Sequence, residues 1–235
     1  MGAGARAREP GLFFLLSIPL WSGCAAMGTP QTADTVGAGK TRWSAQVLAQ
    51  RVTEPALLTT PVPLVAVGVQ HGLSDRVEVG GGRASTFGLE LSGKVELVDS
   101  EDSPWVVSLA PVVGVQQLAM RFDSAMAYSE QRYAALPVLV GWETAGGSQL
   151  VLGLRSTWLH CPGEQSLALP AENAFALGGS LGYAFRVAPR ERLMPEVAVM
   201  LPVGPLPRAT ELRWEGAKPH VQFGLAFMLD GGGDE

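Results

Sequence analysis

The chain has 235 residues, of which 47% are apolar and 17% are charged, and its formal net charge is −5. This length suits a single domain, and a negative charge argues against a nucleic-acid partner. Beyond the N-terminal region no stretch approaches the roughly 18 uninterrupted apolar residues of a spanning helix, and the three histidines and two cysteines show no metal-ligand spacing. We therefore expect no metal, no cofactor and no spanning helix.

Residues 1–23 have the composition of a signal peptide for export. Two arginines form a positive start, residues 12–21 (LFFLLSIPLW) form a short apolar run, and small residues follow around Cys24. The apolar run is too short to span a bilayer. We expect cleavage either before Cys24 or after Ala26.

Residues 24–41 are small, polar and aperiodic, which predicts a flexible tether. The triplet Gly39-Lys40-Thr41 imitates the end of a phosphate-binding loop. The pattern fails because Asp34 stands where the first glycine of such a loop would be. We therefore assign the triplet to the tether.

The five residues that end at Cys24, LWSGC, resemble the lipobox of bacterial lipoproteins. The resemblance implies that Cys24 becomes a diacylated N-terminus. Trp21 stands where this family prefers leucine, so ordinary cleavage after Ala26 stays open. Ala25, rather than aspartate, after the cysteine is compatible with sorting to the outer membrane.

From Arg42 onward, apolar and polar residues alternate with the period of two that is typical of β-strands. The clearest stretch is 86–98 (TFGLELSGKVELV), in which large apolar residues share one face and three charged residues share the other. Ten strands are predicted, at residues 43–52, 62–71, 76–82, 86–98, 105–120, 132–144, 149–160, 174–187, 193–204 and 220–229. Most are longer than strands of soluble sheets and suit a hydrocarbon layer of roughly 25 Å.

The predicted connections alternate in length. Tight turns are expected at residues 73–75, 99–104, 145–148 and 188–192, and longer loops at residues 53–61, 121–131, 161–173 and 205–219. Only residues 83–85 break the alternation. Short turns at one end and long loops at the other are typical of outer-membrane barrels.

The two faces of the predicted strands differ in kind. In residues 174–187 the large side chains fall on one face and the small ones on the other. A soluble sandwich buries its large side chains, whereas a membrane barrel turns them outward to the lipid and keeps the small ones inside, which is the arrangement we expect here. Charged residues on the inner faces predict a network of paired charges in the lumen, formed by Glu90, Lys94, Glu96, Arg155, Arg186 and Glu196, with Glu78 and Glu143 beside them. Tryptophans near strand ends predict an aromatic girdle at the membrane interfaces, formed by Trp43, Trp105, Trp142 and Trp158.

This pattern resembles the small outer-membrane β-barrel proteins of Gram-negative bacteria. The resemblance implies an all-β, antiparallel up-and-down barrel of about ten strands (eight to twelve) over residues 42–230, with a flexible tail at residues 231–235. It implies contact with the lipids of the outer membrane, with the barrel-assembly machinery and with lipoprotein-sorting machinery, and it puts both termini in the periplasm. The implied role is structural or surface interaction, or a narrow pore for small solutes. No catalytic residue is assigned, and we expect no enzyme.

Two other functions stay open. One is a periplasmic, lipid-anchored soluble β-barrel or β-sandwich that binds a partner or an apolar ligand. The prolines at 111, 137, 195 and 202 favour it, because a proline removes a donor from a closed sheet. The other is a barrel enzyme that acts on lipid, which would need a nucleophile and a base on one rim.

Overall fold

The computed structural model describes residues 30–51, 61–84, 88–99, 103–122, 125–162, 171–203 and 219–231. The predicted signal, Cys24 and residues 232–235 lie outside these ranges. The strands are β1 (Thr41–Arg51), β2 (Pro61–Ser74), β3 (Val77–Ala84), β4 (Gly88–Asp99), β5 (Trp105–Leu109), β6 (Val112–Phe122), β7 (Ala125–Glu143), β8 (Gln149–Cys161), β9 (Glu172–Ala188), β10 (Glu191–Val203) and β11 (His220–Gly231). Within the described ranges no helix has the length and apolarity needed to cross a membrane.

The strands form one closed antiparallel barrel. Consecutive strands pair with each other except β5 and β6, and β1 pairs with β2 on one side and β11 on the other, which closes the ring. Both β5 and β6 pair with β4 and β7, so these two strands together occupy one position in the wall. The described strands therefore give a ten-stranded barrel. The predicted fold is confirmed, and the sandwich alternative is wrong.

Three of the four prolines lie beside an interruption of a ladder, whereas Pro202 lies opposite Ala176 in an uninterrupted run. Pro111 lies between β5 and β6, and Pro137 of β7 lies opposite this break, where its carbonyl oxygen accepts a hydrogen bond from Ala110 N at 2.9 Å. Strand β10 pairs with β9 on either side of Met194 and Pro195. A proline beside such an interruption removes no donor that the ladder needs there, which is how a closed sheet tolerates it.

The predicted faces agree with the burial of the side chains. In β4, Leu89, Leu91 and Leu97 are exposed on the outside, whereas Glu90 and Lys94 are buried inside. Between Ala174 and Ala184 of β9, the fully exposed residues are phenylalanine and leucine, and the inward residues are alanine, glycine and serine. The barrel is thus apolar outside and mostly small or polar inside.

The two ends of the barrel differ. At one end Thr41 pairs with Gly231, and the tight turns between β2 and β3, β7 and β8, and β9 and β10 lie beside them; we call it the turn end. Gly147 there has a φ of 73°, a left-handed conformation that favours glycine. The opposite end we call the loop end.

One predicted loop is wrong. Residues 121–131 were expected to form a long loop, but β6 continues to Phe122 and β7 begins at Ala125, in a paired hairpin. Alternation weakens in this polar stretch, yet backbone pairing continues because the hairpin needs no buried face. The centres of the other three predicted long loops lie outside the described residues.

Inward side chains form two apolar clusters. The cluster toward the turn end contains Ala33, Val106, Ala110, Leu139, Val151, Ala184, Met194, Ala226 and Met228. The cluster toward the loop end contains Val112, Tyr133, Ala135, Leu159, Ala174, Ala176 and Met200. Ala33 is the one member of either cluster that precedes β1, and its position leads to the site.

Candidate functional site: the occupied lumen

Residues 30–36 lie inside the barrel, and we call them the plug. Thr32 and Ala33 are fully buried. The prediction of a flexible tether over residues 24–41 is therefore wrong for its described part. Small residues without periodicity indicate a tether in isolation, but the same small side chains fit a narrow lumen between ten strands.

Side chains of the barrel bind the plug through its backbone. Ala33 N donates to Gln149 Oε1 at 2.8 Å, and Val36 N donates to Glu78 Oε2 at 2.9 Å. Thr35 N donates to Glu96 Oε2 at 3.2 Å. A buried backbone N–H without an acceptor is costly, so these inward carboxylate and amide groups make the buried position of the plug tenable.

Asp34 is the charged centre of the plug. Its carboxylate accepts hydrogen bonds from Arg42 Nη2 at 3.2 Å and from Arg192 Nη1 at 3.0 Å, and its carbonyl oxygen accepts one from Lys94 Nζ at 3.2 Å. Burial by itself would raise the pKa of Asp34. The charges of Arg42, Arg192 and Lys94 and a hydrogen bond with Thr32 outweigh burial and hold that pKa well below its usual range.

A second ion pair lies beside the plug. Lys94 Nζ is 2.8 Å from Glu78 Oε1, and the two side chains are 1% and 2% exposed. A buried pair of this kind persists only where further hydrogen bonds satisfy both partners. Here the carbonyl of Asp34 and the amide of Val36 supply them, so the pair and the plug depend on each other.

A polar layer lies further toward the loop end. Tyr133 Oη donates to Glu90 Oε2 at 2.7 Å, and Arg155 interacts electrostatically with Glu90 and Glu196. Gln116 Nε2 donates to Gln131 Oε1 at 2.8 Å in the same half. These contacts join strand side chains, and Gln31 of the plug borders the layer across two small cavities.

The predicted lumen charges fall in different places. Glu90, Lys94 and Glu96 are buried in the lumen, and Arg155 and Glu196 are half-buried there. Arg186 departs from the expected network: it is exposed at the turn end, where its Nη2 donates to Pro189 O at 3.4 Å. It follows the inward alternation of β9 but stands beyond the layer of paired charges.

Sequence reasoning missed three of the charged groups that matter most. Asp34 was considered only as a flaw in a phosphate-binding pattern, and Arg42 and Arg192 stood at predicted strand edges. Inward alternation from Ser44, Gln46 and Leu48 back to residue 42 would have placed Arg42 in the lumen. No local signal marks Asp34 as its partner.

Among the described residues, two small cavities lie beside the plug. One cavity of about 40 Å³ lies between the plug residues Pro30 and Gln31 and the strands β1 to β4. Another, of about 30 Å³, lies between Gln31, Arg155 and Glu196. A water needs roughly 10–15 Å³ by this measure, so each cavity has room for only a few water molecules.

The predicted girdle residues lie on the outer surface near strand ends. Trp43, Trp105 and Trp142 are exposed near the turn end, and Trp158 is exposed toward the loop end. Trp105 and Trp142 stack with ring centroids 5.4 Å apart, and Trp158 stacks on His160 at 5.7 Å. Within the described residues, histidine, cysteine, aspartate and glutamate form no group that suits a metal ion.

No protein-family model and no curated protein sequence matches the chain. Among solved structures it is similar to an outer membrane channel from Pseudomonas putida F1, with 9% identity and a TM-score of 0.48 over 87% of this chain and 100% of that one. It is also similar to the translocator domain of the autotransporter NalP from Neisseria meningitidis, with 11% identity and a TM-score of 0.45 over 84% and 89% of the chains. A third similar structure is Ail, the attachment invasion locus protein of Yersinia pestis, with 12% identity and a TM-score of 0.37 over 83% and 99%. At these identities and scores the likeness concerns the barrel fold and carries no argument about function.

Proposed function

We propose that this chain is an outer-membrane β-barrel protein of a Gram-negative bacterium, with a structural or surface-interaction role and a lumen closed by its own plug. The observation that carries the proposal is the binding of residues 30–36 inside the barrel. Side chains from five strands, β1, β3, β4, β8 and β10, hold this segment. A barrel built this way is a solid support for its loops rather than an open channel.

The outer surface supports a membrane location over the soluble, lipid-anchored alternative. Large apolar side chains cover it on every strand from β1 to β11, with Leu154 and Phe223 among the most exposed. A continuous apolar surface of this extent is unfavourable in water, whereas lipid tails cover it at no cost. The exposed tryptophans near both ends suit the two interfaces.

The proposal includes an orientation and a set of partners. The start of β1 at Thr41 and the end of β11 at Gly231 lie at the turn end, which we assign to the periplasm because outer-membrane barrels keep their short turns there. Assembly by the barrel-assembly machinery, export by the signal and lipidation at Cys24 with lipoprotein sorting complete the proposal.

Fractionation of a Gram-negative host that expresses the chain tests the location. We expect the protein in the outer membrane after carbonate washing, with a gel mobility that shifts on heating. The Cys24→Ala variant should stay in the membrane fraction, because the barrel itself holds it there. Release of the wild type by carbonate would instead establish a tethered soluble domain. Release of the Cys24→Ala variant, while the wild type stays in the membrane, would establish the same.

Planar-bilayer recording tests the closed lumen. The wild-type barrel should show no steady ion conductance, because the cavities beside the plug hold only a few waters. A steady open conductance of the wild type would contradict the closed lumen while leaving the location intact.

A narrow pore for small solutes is the second candidate. The observation that favours it is that non-covalent contacts alone hold the described plug, with Asp34 as their charged centre. If the plug is a gate, Asp34→Asn should conduct in steps that the wild type lacks. Identical closed traces from both proteins would remove the pore from consideration.

We also propose that the chain is not an enzyme. His71 Nδ1 lies 3.0 Å from Thr41 Oγ1, and His160 Nδ1 lies 2.9 Å from Asn173 Oδ1, both exposed at strand ends. Neither pair has the nucleophile, base and orienting acid that acyl hydrolysis uses. The proposal would be contradicted if the refolded barrel hydrolysed phospholipid and the Thr41→Val variant did not.

A further inference from the structure

An open vestibule lies at the turn end, just outside the plug. It has a volume of about 640 Å³, and residues 34–42, the turn between β9 and β10, and the end of β11 enclose it. This volume lies in the range of small-molecule sites, roughly 300–1,000 Å³. It is far larger than either cavity in the lumen.

The lining of the vestibule is strongly cationic. Five basic side chains line it, Lys40, Arg42, Arg186, Arg190 and Arg192, against the two carboxylates of Asp34 and Asp230. Both carboxylates are already engaged, Asp34 by Arg42 and Arg192, and Asp230 by Arg42. The inner wall is therefore neutral.

Three cations at the outer rim keep an excess charge. Among the hydrogen bonds and ion pairs of the described residues, none gives Lys40, Arg186 or Arg190 a carboxylate partner. Arg186 is held in place, because it packs under Gly147 and donates to Pro189 O. Cations that converge on one concave opening attract anions more strongly than the same cations spread over a surface.

The inner wall offers a donor as well. Arg192 is 8% exposed, and its Nε is a buried donor with no hydrogen-bond partner among the described residues. Its Nη1 already binds both carboxylate oxygens of Asp34 at 3.0 Å. A buried N–H without an acceptor costs free energy, and an anion that reached the inner wall would supply the acceptor.

We propose that this vestibule is a binding site for a phosphate group. Arginine guanidinium forks match the oxygens of phosphate, and a lysine beside them adds a point charge. The group can be free phosphate or the headgroup of an anionic phospholipid in the adjacent leaflet. The lipid source rests on the proposed membrane location, whereas the site for phosphate itself does not.

Titration of the purified, refolded full chain in zwitterionic detergent tests the site. Inorganic phosphate is added at fixed ionic strength set with chloride, and binding is followed by calorimetry or by broadening of the phosphorus NMR signal. We expect the triple variant Lys40→Gln, Arg186→Gln, Arg190→Gln to bind phosphate at least about tenfold more weakly than the wild type, because three charge-assisted contacts are lost. Arg76→Gln is the matched control, since it removes one exposed cation from the turn between β2 and β3, outside the vestibule.

Several outcomes decide the proposal. Equal binding by the wild type and the triple variant, or binding of phosphate no tighter than chloride, overturns it. If the triple variant shows no heat-dependent gel shift, the single variant Arg190→Gln in the exposed turn replaces it, with weaker phosphate binding still expected. A double variant, Asp234→Asn with Glu235→Gln, removes the acidic side chains that follow Gly231. If neither this variant nor the wild type binds phosphate, the proposal is also overturned.

Native mass spectrometry separates the two sources. The barrel is taken from phosphatidylcholine bilayers with and without phosphatidylglycerol. Retention of phosphatidylglycerol by the wild type and its loss in the triple variant assigns the site to a lipid headgroup. Binding of inorganic phosphate without such retention assigns it to a free phosphate. Failure of the membrane location would leave the titration in detergent unchanged, so the two proposals can fail separately.

Discussion

The two halves of the lumen are filled in different ways. Beside the plug, inward glycines leave room for a chain segment: a Cβ on Gly141 would lie 2.8 Å from the Cβ of Ala33, and one on Gly224 would lie 3.1 Å from Pro30. Toward the loop end, the space at Gly114 is taken instead by the ring of Tyr133. The same device, an inward glycine, admits a plug in one half and a side chain in the other.

This difference decides where charge is tolerated. The plug brings backbone groups and Asp34 into contact with Lys94, Arg42 and Arg192, so the turn-end half holds a paired network. The loop-end half holds an apolar cluster above one polar layer. Substitutions in the turn-end half should release the plug. Substitutions in the loop-end half should lower the free energy of unfolding without releasing it.

The largest effect is expected from Lys94→Met. It leaves the carboxylate of Glu78 buried without its cation, and breaking a buried pair from one side costs roughly 3–5 kcal/mol. Unfolding in urea, followed by loss of the heat-dependent gel shift, measures the change. The double variant Glu78→Gln, Lys94→Met removes both charges and should recover most of the loss; equal instability of single and double variants would show that the pair is not the cause.

Asp34→Asn tests the plug directly. The substitution keeps the shape of the side chain but leaves Arg192 without its anion and Arg42 with Asp230 alone. This loss should cost about 1.5–3 kcal/mol. Hydrogen exchange of a peptide that spans the plug is the readout, because Ala33 N and Val36 N lose protection when the plug leaves. Unchanged protection in the plug would show that Asp34 does not hold it.

Acidification should act on the same contact in a defined direction. The pKa of Asp34 is lowered in the folded barrel, so its contribution is present above the ordinary pKa of about 3.9 and is lost as the pH falls through the lower native pKa. The protection of the plug amides from hydrogen exchange should therefore persist from pH 7 to about pH 4. In Asp34→Asn the stability difference from the wild type should shrink below that pH, and a difference that grows on acidification would have the wrong sign.

The sequence predicted the wall of the barrel well and its contents poorly. A period of two repeats in ten stretches, so the faces of β4 and β9 could be assigned from local pattern. The plug has no period, and the small residues around Asp34 gain their position only from the lumen that the strands create. Pairing between Asp34 and Arg192 joins residues far apart in the chain, and no rule of spacing identifies such a pair.

Gly141→Ala tests whether the plug needs the space that an inward glycine leaves. The new methyl group would meet Ala33 Cβ and the side chain of Gln149 closer than 3 Å, and overpacking of this kind costs about 1–3 kcal/mol. Gly179→Ala is the matched control in the wall, because its Cβ would meet only Gly153 O at an ordinary 3.5 Å. We expect faster exchange in the plug for Gly141→Ala and not for Gly179→Ala, and equal effects would mean that the plug does not need the space.

The smallest effect is expected in the other half, from Tyr133→Phe. The change removes the hydroxyl that donates to Glu90 at 2.7 Å but keeps the ring that fills the space at Gly114. Arg155 still faces the carboxylate of Glu90, so we expect a loss of only about 1 kcal/mol. Hydrogen exchange in the plug should stay as in the wild type, because neither Tyr133 nor Glu90 makes any of the hydrogen bonds that hold the plug among the described residues. Faster exchange at Ala33 in Tyr133→Phe would show that the two halves are coupled, and the comparison between them would then fail.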